Sequence, residues 1–187
     1  MFYFIRHGEP DDSQRNSGIY QGFGVNLAGL SERGIAQIQA AARDPRLSGS
    51  DIILCSPYTR AVQTAAILSK ELGADLKIET DLHEWLANQS YVYVNDEAAG
   101  RAHQEYLACG GTHSSEAQEW EEMSSVRRRV LRVLERYAAY QKVLVACHGI
   151  AIQAVTGGSH PDHSEIRSFD LRTCQNQKPG RMSQSEI

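Results

Sequence analysis

Short apolar runs alternate with longer amphipathic segments along this chain. The short runs are continuously apolar and too brief for helices, which is typical of buried strands. The strand candidates of this kind are residues 2–6, 51–55 and 142–147, and a further strand is predicted near residues 76–80. The helix candidates, in which apolar residues recur every three to four positions, are residues 31–43, 56–72, 124–140 and 148–157. Residues 165–171 alternate between apolar and polar positions and predict a half-exposed edge strand.

Local signals for helix ends agree with these boundaries. Ser31 is a favourable N-cap for the first long helix, and Pro45 prevents its extension. Ser56 is the predicted N-cap of the next helix, with Pro57 at the first helical position. Gly73 is the expected C-terminal stop of that helix, because glycine adopts the left-handed conformation that often ends one.

The order of these elements predicts an α/β fold. Strands that alternate with helices form a mostly parallel central sheet with helices on both faces, which is a three-layer sandwich. A length of 187 residues suits one domain, and we expect it to span residues 1–174. Residues 85–123 are less regular and are interpreted as an insertion that covers the substrate. Residues 175–187 predict a polar, mobile tail.

Composition excludes several classes of protein. Hydrophobic residues make up 41% and charged residues 22% of the chain, as in soluble globular proteins. No apolar run approaches the ~20 residues of a membrane span, and Arg6 interrupts the apolar start before it resembles a signal peptide. We therefore expect a cytoplasmic protein with reduced thiols. A formal charge of -4 argues against nucleic-acid binding; nothing in the sequence indicates the oligomeric state.

One helix carries a dense group of arginines. The pattern of its apolar residues places these side chains on the outward face, so we interpret them as a solvated helix surface rather than a phosphate-binding patch. The arginines of this group are Arg127, Arg128, Arg129, Arg132 and Arg136.

Chemically versatile residues follow each of the predicted parallel strands. Arg6 and His7 end the first strand, Arg60 lies in the first turn of the helix after the second, Glu84 follows the third, and His148 follows the fourth. Ligands of α/β sheets bind beyond the carboxyl ends of the strands. We therefore expect two imidazoles, two guanidinium groups and one carboxylate at a single edge of the sheet.

This set of groups suits a phosphoryl group. Arginine guanidinium groups bind tetrahedral phosphate oxygens through paired hydrogen bonds, and a helix that starts at Gly149 adds backbone N–H donors. Neighbouring cations lower the pKa of an imidazole, which keeps its attacking nitrogen unprotonated. Glu84 is the one candidate at that edge for donating a proton to a leaving alkoxide.

Four segments resemble the signature of a known superfamily. Residues 6–9 (RHGE), residues 30–34 (LSERG), residues 56–65 (SPYTRAVQTA) and the pair His148-Gly149 are similar, in this order, to motifs of the histidine phosphatase (phosphoglycerate mutase-like) superfamily. The resemblance is to its RHGE-type branch. The acid phosphatase and phytase branch has RHGxRxP and an HD dipeptide, which this chain lacks.

The resemblance implies roles for individual residues. His7 would be the phosphorylated nucleophile, Arg6 and Arg60 would bind phosphoryl oxygens, and His148 would stabilise the group in transfer. Glu84 matches the position of the general acid. The resemblance implies no metal and no other cofactor.

The resemblance also suggests further contacts to the substrate. Ser13 stands where many relatives have an asparagine, and its hydroxyl would bond a phosphate oxygen. Gln21 and Gly22 correspond to a pair that lines the pocket in relatives, and Gly149 would contribute its backbone N–H.

The family contains both mutases and phosphatases, and the sequence favours a phosphatase. A phosphoglycerate mutase must also bind a carboxylate and a second phosphate, yet between Ile78 and Val126 the chain has a single Arg or Lys, namely Arg101. We therefore expect a phosphomonoester hydrolase acting on a small phosphorylated metabolite. Mutase is the first alternative and a non-catalytic phosphate-binding module the second. The aromatic residues of 85–123 either shape a pocket or pack under a cover.

Two other features have competing interpretations. His160 and His163, spaced as a possible metal pair, lie in a stretch rich in Gly, Pro and Ser, and we interpret the segment as a solvated loop. Cys147 could be a reactive thiol, but at the end of a buried strand it is interpreted as a small apolar filler.

Overall fold

The structure is a computed structural model, and it describes residues 1–13, 24–90 and 94–175. Its core is a single sheet of five strands with the order β3-β2-β4-β1-β5. The strands are β1 (Phe2–Arg6), β2 (Ile52–Cys55), β3 (Leu76–Ile78), β4 (Val143–Cys147) and β5 (Ile166–Phe169). The strands β1 to β4 pair in parallel, while β5 pairs antiparallel to β1 at the edge. The predicted mostly parallel α/β sheet is therefore confirmed.

Helices surround this sheet. They are α1 (Gly24–Leu27), α2 (Glu32–Ala41), α3 (Thr59–Leu72), α4 (Asp96–Ala108), α5 (Met123–Arg136), α6 (Gly149–Thr156) and α7 (Leu171–Gln175). Helix α4 lies in the segment where no helix was predicted. Four of its thirteen residues are alanines, and it buries a single residue, Tyr106, so the periodicity of large apolar residues that reveals a helix is almost absent.

The alternation of side chains along the buried strands creates two apolar cores, one on each face of the sheet. On one face, residues of β1, β2 and β4 pack against α5 and α6; this core includes Phe4, Leu54, Val145, Val130 and Ile152. On the other face, their neighbours pack against α2 and α3; this core includes Ile5, Ile53, Ala146, Ile38 and Leu68. The predicted three-layer arrangement is thereby confirmed.

The start of α3 differs from the prediction. Ser56 is not the N-cap: Tyr58 precedes the first turn in an extended conformation, and no side chain caps it. Instead, the Ser56 hydroxyl lies 2.7 Å from Nε2 of His148, so a residue with the chemistry of a cap is used in the site. The C-terminal stop is as predicted, since Gly73 has φ 67° in the left-handed region.

The direction of the strands determines what meets at the functional edge. Residues that follow β1, β2, β3 and β4 emerge at the same edge because these strands are parallel. Strand β5 runs the opposite way, so the loop that precedes it, residues 157–165, reaches this edge too. In the described part of the chain, no helix has the length and apolar character needed to span a bilayer.

Candidate active site

His7 lies immediately after β1 and has a defined tautomer. Its Nδ1 is 2.8 Å from the carbonyl oxygen of Gly8, and because a carbonyl can only accept, Nδ1 carries the hydrogen. Nε2 therefore holds the lone pair, and it accepts a hydrogen bond from Nε of Arg60 at 3.1 Å. His7 is 4% exposed. One nitrogen of a buried imidazole is thus available as a nucleophile.

The surroundings of His7 keep it uncharged. Burial, together with the positive charges of Arg60 and Arg6, lowers the pKa of His7 to about 3. Burial also lowers the pKa of both arginines, while the negative charge of Glu84 opposes that shift in each. An arginine stays protonated despite such shifts because its ordinary pKa exceeds 12. The site therefore combines a neutral imidazole with two cations.

His148, the residue between β4 and α6, lies beside His7. The two ring centroids are 5.2 Å apart with their planes at 63°. The Tyr58 ring packs edge-on against the His148 ring, with the centroids 5.2 Å apart. The Arg60 guanidinium lies 5.2 Å from the centroid of the Tyr58 ring. Burial and the charge of Arg60 lower the pKa of His148 well below its ordinary value. Tyr58 was not predicted from the sequence as a site residue.

Four buried side-chain polar atoms have no hydrogen-bond partner among the described residues; two belong to Tyr106 and Trp120, and the other two lie in this site. Nε of Arg6 and Nδ1 of His148 are inaccessible to solvent and have no hydrogen-bond partner among the described residues. Buried polar groups are nearly always satisfied, and each such atom costs free energy unless a ligand or water pairs with it. Both atoms belong to side chains that the sequence assigned to a phosphoryl group.

Glu84 lies at the same edge, after a short 3₁₀ turn (Thr80–Leu82) that follows β3. Its Oε1 accepts from the backbone N–H of Trp85 at 2.8 Å, and its Oε2 lies 3.4 Å from the backbone N of Ile150 in the first turn of α6. The carboxylate thus sits at the positive end of α6. The structure brings together all five residues predicted to be catalytic: Arg6, His7, Arg60, Glu84 and His148.

The glycines of two motifs have a steric explanation. A Cβ at Gly8 would lie 2.4 Å from the carbonyl oxygen of Gly34, and a Cβ at Gly34 would lie 2.2 Å from that of Glu9. The segment after β1 and the start of α2 therefore touch backbone to backbone. Ser31, the predicted N-cap, secures this contact: its hydroxyl accepts from the Gly34 N–H and donates to the Glu9 carboxylate.

The loop before β5 also belongs to this site, which the sequence interpretation missed. The ring of His163 lies 5.5 Å from that of His7. A Cβ at Gly149 would lie 1.9 Å from Nε2 of His160, so that imidazole fills the space beside the first residue of α6. Arg6 donates to the carbonyl of Pro161 at 2.7 Å and holds the loop in place. Residues 157–160 are exposed, in agreement with the interpretation of a solvated loop, but that interpretation missed the position of the loop beside His7.

The physical reason for this error is the direction of β5. Only its antiparallel pairing with β1 returns the preceding loop to the catalytic edge, and an alternating strand pattern carries no information about direction. The spacing of the two histidines was visible, but the described residues hold no cluster of three or more metal-ligating side chains.

The interpretation of the arginine-rich helix was wrong for two of its members. The side chain of Arg129 is only 11% exposed, and it forms an ion pair with Glu121 at 2.8 Å. Arg127 donates to the carbonyls of Ala154 and Val155 near the end of α6, at 2.8 and 2.9 Å. Both side chains lie where α5 meets its neighbours. Helical periodicity does not show which residues at the boundary of the buried face have such partners.

The predicted peripheral contacts have mixed outcomes. Ser13 is exposed, and its backbone N–H bonds the Asp11 carboxylate at 3.0 Å, as does its hydroxyl. Its role toward phosphate therefore stays a prediction. Gln21 and Gly22 lie outside the described residues. Gly149 is the first residue of α6, as predicted.

The aromatic residues of 85–123 pack with one another. Trp85 contacts Tyr106 with ring centroids 5.2 Å apart, and Tyr106 contacts Trp120 at 5.4 Å. Tyr106 and Trp120 are almost fully buried and join Ile150 of α6 in a third apolar cluster. The packing interpretation is therefore correct for these two residues; Tyr91 and Tyr93 lie outside the described residues. Burial raises the pKa of the Tyr106 hydroxyl to about 12.

Comparison with known proteins agrees with the geometry. The family model described as histidine phosphatase superfamily (branch 1) matches residues 2–177. The chain belongs to the histidine phosphatase superfamily. The family predicted from the sequence is thereby confirmed.

Two curated relatives of this chain are named for different reactions, one a phosphatase and the other a mutase. A putative phosphoserine phosphatase 2 of Hydrogenobacter thermophilus is 28% identical over 159 residues, which is 82% of this chain and 75% of the relative. A 2,3-bisphosphoglycerate-dependent phosphoglycerate mutase of Methylobacterium radiotolerans is 28% identical over 166 residues, covering 83% and 76%.

Solved structures of this superfamily share the fold. A mycobacterial glucosyl-3-phosphoglycerate phosphatase in complex with VO3 superposes with a TM-score of 0.68 and 20% identity over 88% of each chain. The alpha-ribazole phosphatase of Shigella flexneri gives a TM-score of 0.59 and 23% identity, covering 88% of this chain and 87% of that one.

Proposed function

We propose that this protein hydrolyses phosphomonoesters through a phosphohistidine on Nε2 of His7. The observation that carries the proposal is the pair of unpartnered buried atoms, Nε of Arg6 and Nδ1 of His148, next to an unprotonated imidazole nitrogen. A phosphoryl dianion supplies oxygens that would satisfy both. Two guanidinium groups provide charge that in many phosphoryl-transfer enzymes comes from a metal ion.

In the first half-reaction, Nε2 of His7 attacks phosphorus and the P–O ester bond breaks. The phosphoryl oxygens compete for the Arg60 donor that now bonds Nε2, which frees the lone pair for attack. Arg6, Arg60 and His148 stabilise the charge on the oxygens in transfer. Glu84, protonated at this stage, gives its proton to the departing oxygen, and an alcohol leaves.

In the second half-reaction, water attacks the phosphorus of the phosphohistidine. The P–N bond breaks, and the electron pair returns to Nε2 of His7. Glu84, now a carboxylate, takes the proton from the attacking water, so the enzyme returns to its starting state and inorganic phosphate is released.

Phosphatase is favoured over mutase by the residues around Glu84. A mutase must hold a second phosphate and a carboxylate of its substrate, but the segment between Ile78 and Val126 has one arginine and no lysine. That residue, Arg101, forms an exposed ion pair with Glu97 within α4. We therefore infer that the substrate is a small phosphorylated metabolite with water as the final acceptor of its phosphoryl group.

The proposal is tested by trapping the intermediate. The purified protein should hydrolyse p-nitrophenyl phosphate, with and without a chelator, and a rapid acid-free quench should show a phosphoenzyme that is labile to acid and stable to alkali. Exchange between phosphoglycerate isomers that requires a bisphosphate primer would instead support a mutase. Phosphate binding without turnover would support a non-catalytic module.

A further inference from the structure

The guanidinium group of Arg129, on α5, hydrogen-bonds both the segment that carries Glu84 and the carboxylate of Glu121. Its Nη1 donates to the carbonyls of Asp81 and His83 at 2.6 and 2.8 Å. Nη2 donates to the carbonyl of Glu84 at 3.2 Å and to Oε2 of Glu121 at 3.0 Å. Nε donates to Oε1 of Glu121 at 2.8 Å. All of the N–H donors of an arginine are thereby used.

Glu121 holds the same segment through its backbone as well. Its N–H donates to the carbonyl of Leu86 at 2.8 Å, and its carbonyl accepts from the indole N–H of Trp85 at 2.6 Å. The side chains of Arg129 and Glu121 are 11% and 5% exposed. Residues 81–86 are therefore fastened to α5 and to the end of the insertion by one buried ion pair and its neighbouring backbone.

The contacts of this pair reach the main chain of Glu84 but not its carboxylate. Arg129 reaches the main-chain carbonyl of Glu84, whereas the Glu84 carboxylate is bonded by the N–H groups of Trp85 and Ile150. The pair thus touches neither the carboxylate nor the imidazole of His7 in any contact of the structure. Its hydrogen bonds can therefore influence the reaction through the position of Glu84, whereas the charge of Arg129, which helps to lower the pKa of His148, is kept when lysine replaces it.

We propose that Arg129 and Glu121 are a positioning pair that sets the Glu84 carboxylate at the leaving-group oxygen. The proposal rests on the proposed function, in which Glu84 is the general acid. A proton donor must lie within about 2.6–3.2 Å of the atom it protonates, and a misplacement of about 1 Å costs on the order of 10²-fold. Glu84 follows a short 3₁₀ turn rather than a strand, so these side chains replace the support that a sheet would give.

The first test compares leaving groups in Arg129→Lys. Lysine keeps the positive charge opposite Glu121 but lacks the planar fork of donors. An alkyl phosphate needs protonation of its leaving oxygen, whereas p-nitrophenyl phosphate needs little. We expect the ratio of kcat/KM for glycerol phosphate to that for p-nitrophenyl phosphate to fall about 10-fold in the variant. An equal loss on both substrates would overturn the proposal, because a purely structural role does not distinguish leaving groups.

Arg136→Lys is the matched control. Arg136 lies on the same helix and also pairs with a glutamate, but its side chain is half-exposed and that glutamate, Glu79, lies outside residues 81–86. The ratio of the two substrates should stay within twofold of the wild-type value. A drop equal to that of Arg129→Lys would overturn the proposal, because the effect would then belong to any arginine of α5.

A double-mutant cycle separates this inference from the proposed function. If Arg129 acts through Glu84, Arg129→Lys should leave the substrate ratio unchanged in a Glu84→Gln background. A further drop in that background would overturn the positioning role. Failure of Glu84→Gln itself to change the ratio would instead contradict the acid role of Glu84, which belongs to the proposed function.

A second variant keeps the test decisive if Arg129→Lys does not fold. Glu121→Asp retains the charge and withdraws the carboxylate by one methylene, and it should lower the substrate ratio in the same direction. Binding of inorganic phosphate by calorimetry shows whether the phosphoryl pocket is intact. Unchanged phosphate affinity with a lowered ratio supports the proposal; an unchanged ratio in a folded Glu121→Asp variant overturns it.

Discussion

The two halves of the candidate site are built in different ways. The phosphoryl half, made of His7, Arg60 and His148, comes from residues at or just after buried parallel strands. The leaving-group half, residues 81–86 with Glu84, follows a 3₁₀ turn after the exposed strand β3. Backbone pairing in the sheet positions the first, while the ion pair of Arg129 and Glu121 fastens the second.

This difference bears on how the two halves tolerate change. A ladder of backbone hydrogen bonds persists through most substitutions, since it uses no side chains. A buried ion pair depends on two particular side chains, and removal of one leaves an unpaired charge that costs about 3–5 kcal/mol. Substitutions should therefore separate the halves by their effects on binding, chemistry and stability.

The largest expected effect is the loss of turnover in His7→Ala. Without Nε2 no phosphohistidine forms, so kcat should fall on the order of 10⁴-fold or more for alkyl and aryl phosphates alike. Steady-state hydrolysis and labelling with a ³²P-phosphate ester would measure it. Residual labelling of the variant protein would assign the nucleophile to another residue.

Glu84→Gln should give a smaller loss that depends on the substrate. Glutamine cannot donate a proton to an alkoxide, and general acid catalysis contributes about 10²–10⁴-fold. We expect the loss in kcat/KM to approach 10²-fold or more for glycerol phosphate and to be much smaller for p-nitrophenyl phosphate. Equal losses on both substrates would contradict the role of Glu84 as the general acid of the leaving-group half.

The buried neutral imidazole of the phosphoryl half should make stability sensitive to acid. The pKa of His7 is lowered to about 3 in the folded protein, against about 6.5 in an unfolded chain. Well above pH 6.5 the His7 side chain is neutral in both the folded and the unfolded protein, so it contributes no pH dependence to stability. Below it the unfolded chain binds a proton that the folded chain does not, so the free energy of unfolding falls as the pH falls.

Urea unfolding at two pH values measures this effect. Between pH 6.5 and 4.5 the wild-type free energy of unfolding should fall about 2 kcal/mol more than that of His7→Gln. Comparison of the two pH dependences cancels the direct effect of the substitution on stability. The same slope in both proteins would show that His7 titrates normally.

The smallest expected effect concerns the loop before β5. Because the His163 ring lies 5.5 Å from that of His7, we expect it to donate a hydrogen bond to a bound phosphoryl oxygen. His163→Ala should weaken binding of inorganic phosphate about 10-fold, the size of one hydrogen bond to a charged group. His113→Ala, which removes an imidazole from the insertion, is the control in calorimetry. Equal affinities of wild type and His163→Ala would place this histidine outside the phosphoryl half.

The phosphoryl half was predictable from sequence because its elements carry strong local signals. Residues 2–5 and 143–147 are continuously apolar, and parallel pairing of their strands brings Arg6, His7 and His148 to one edge. Gly73 ended its helix as expected. The site residues therefore followed from fold and chemistry together.

The rest depended on contacts between distant parts of the chain. Periodicity placed Arg129 on a solvated face, since nothing local indicates a buried partner at Glu121. Ser56 has the chemistry of an N-cap, yet a bond to His148 in space uses its hydroxyl. Helix α4 has too few apolar residues to be recognised, and the position of His163 depends on the direction of a strand.

The reversed edge strand makes a surface turn part of the reaction centre. Residues 157–165 can change in length or composition without disturbing a single pairing of the four parallel strands, yet they border the nucleophile through His163 and the start of α6 through His160. The architecture therefore offers a place where the pocket mouth can be remodelled, by evolution or by engineering, while the phosphoryl chemistry beneath it is left intact.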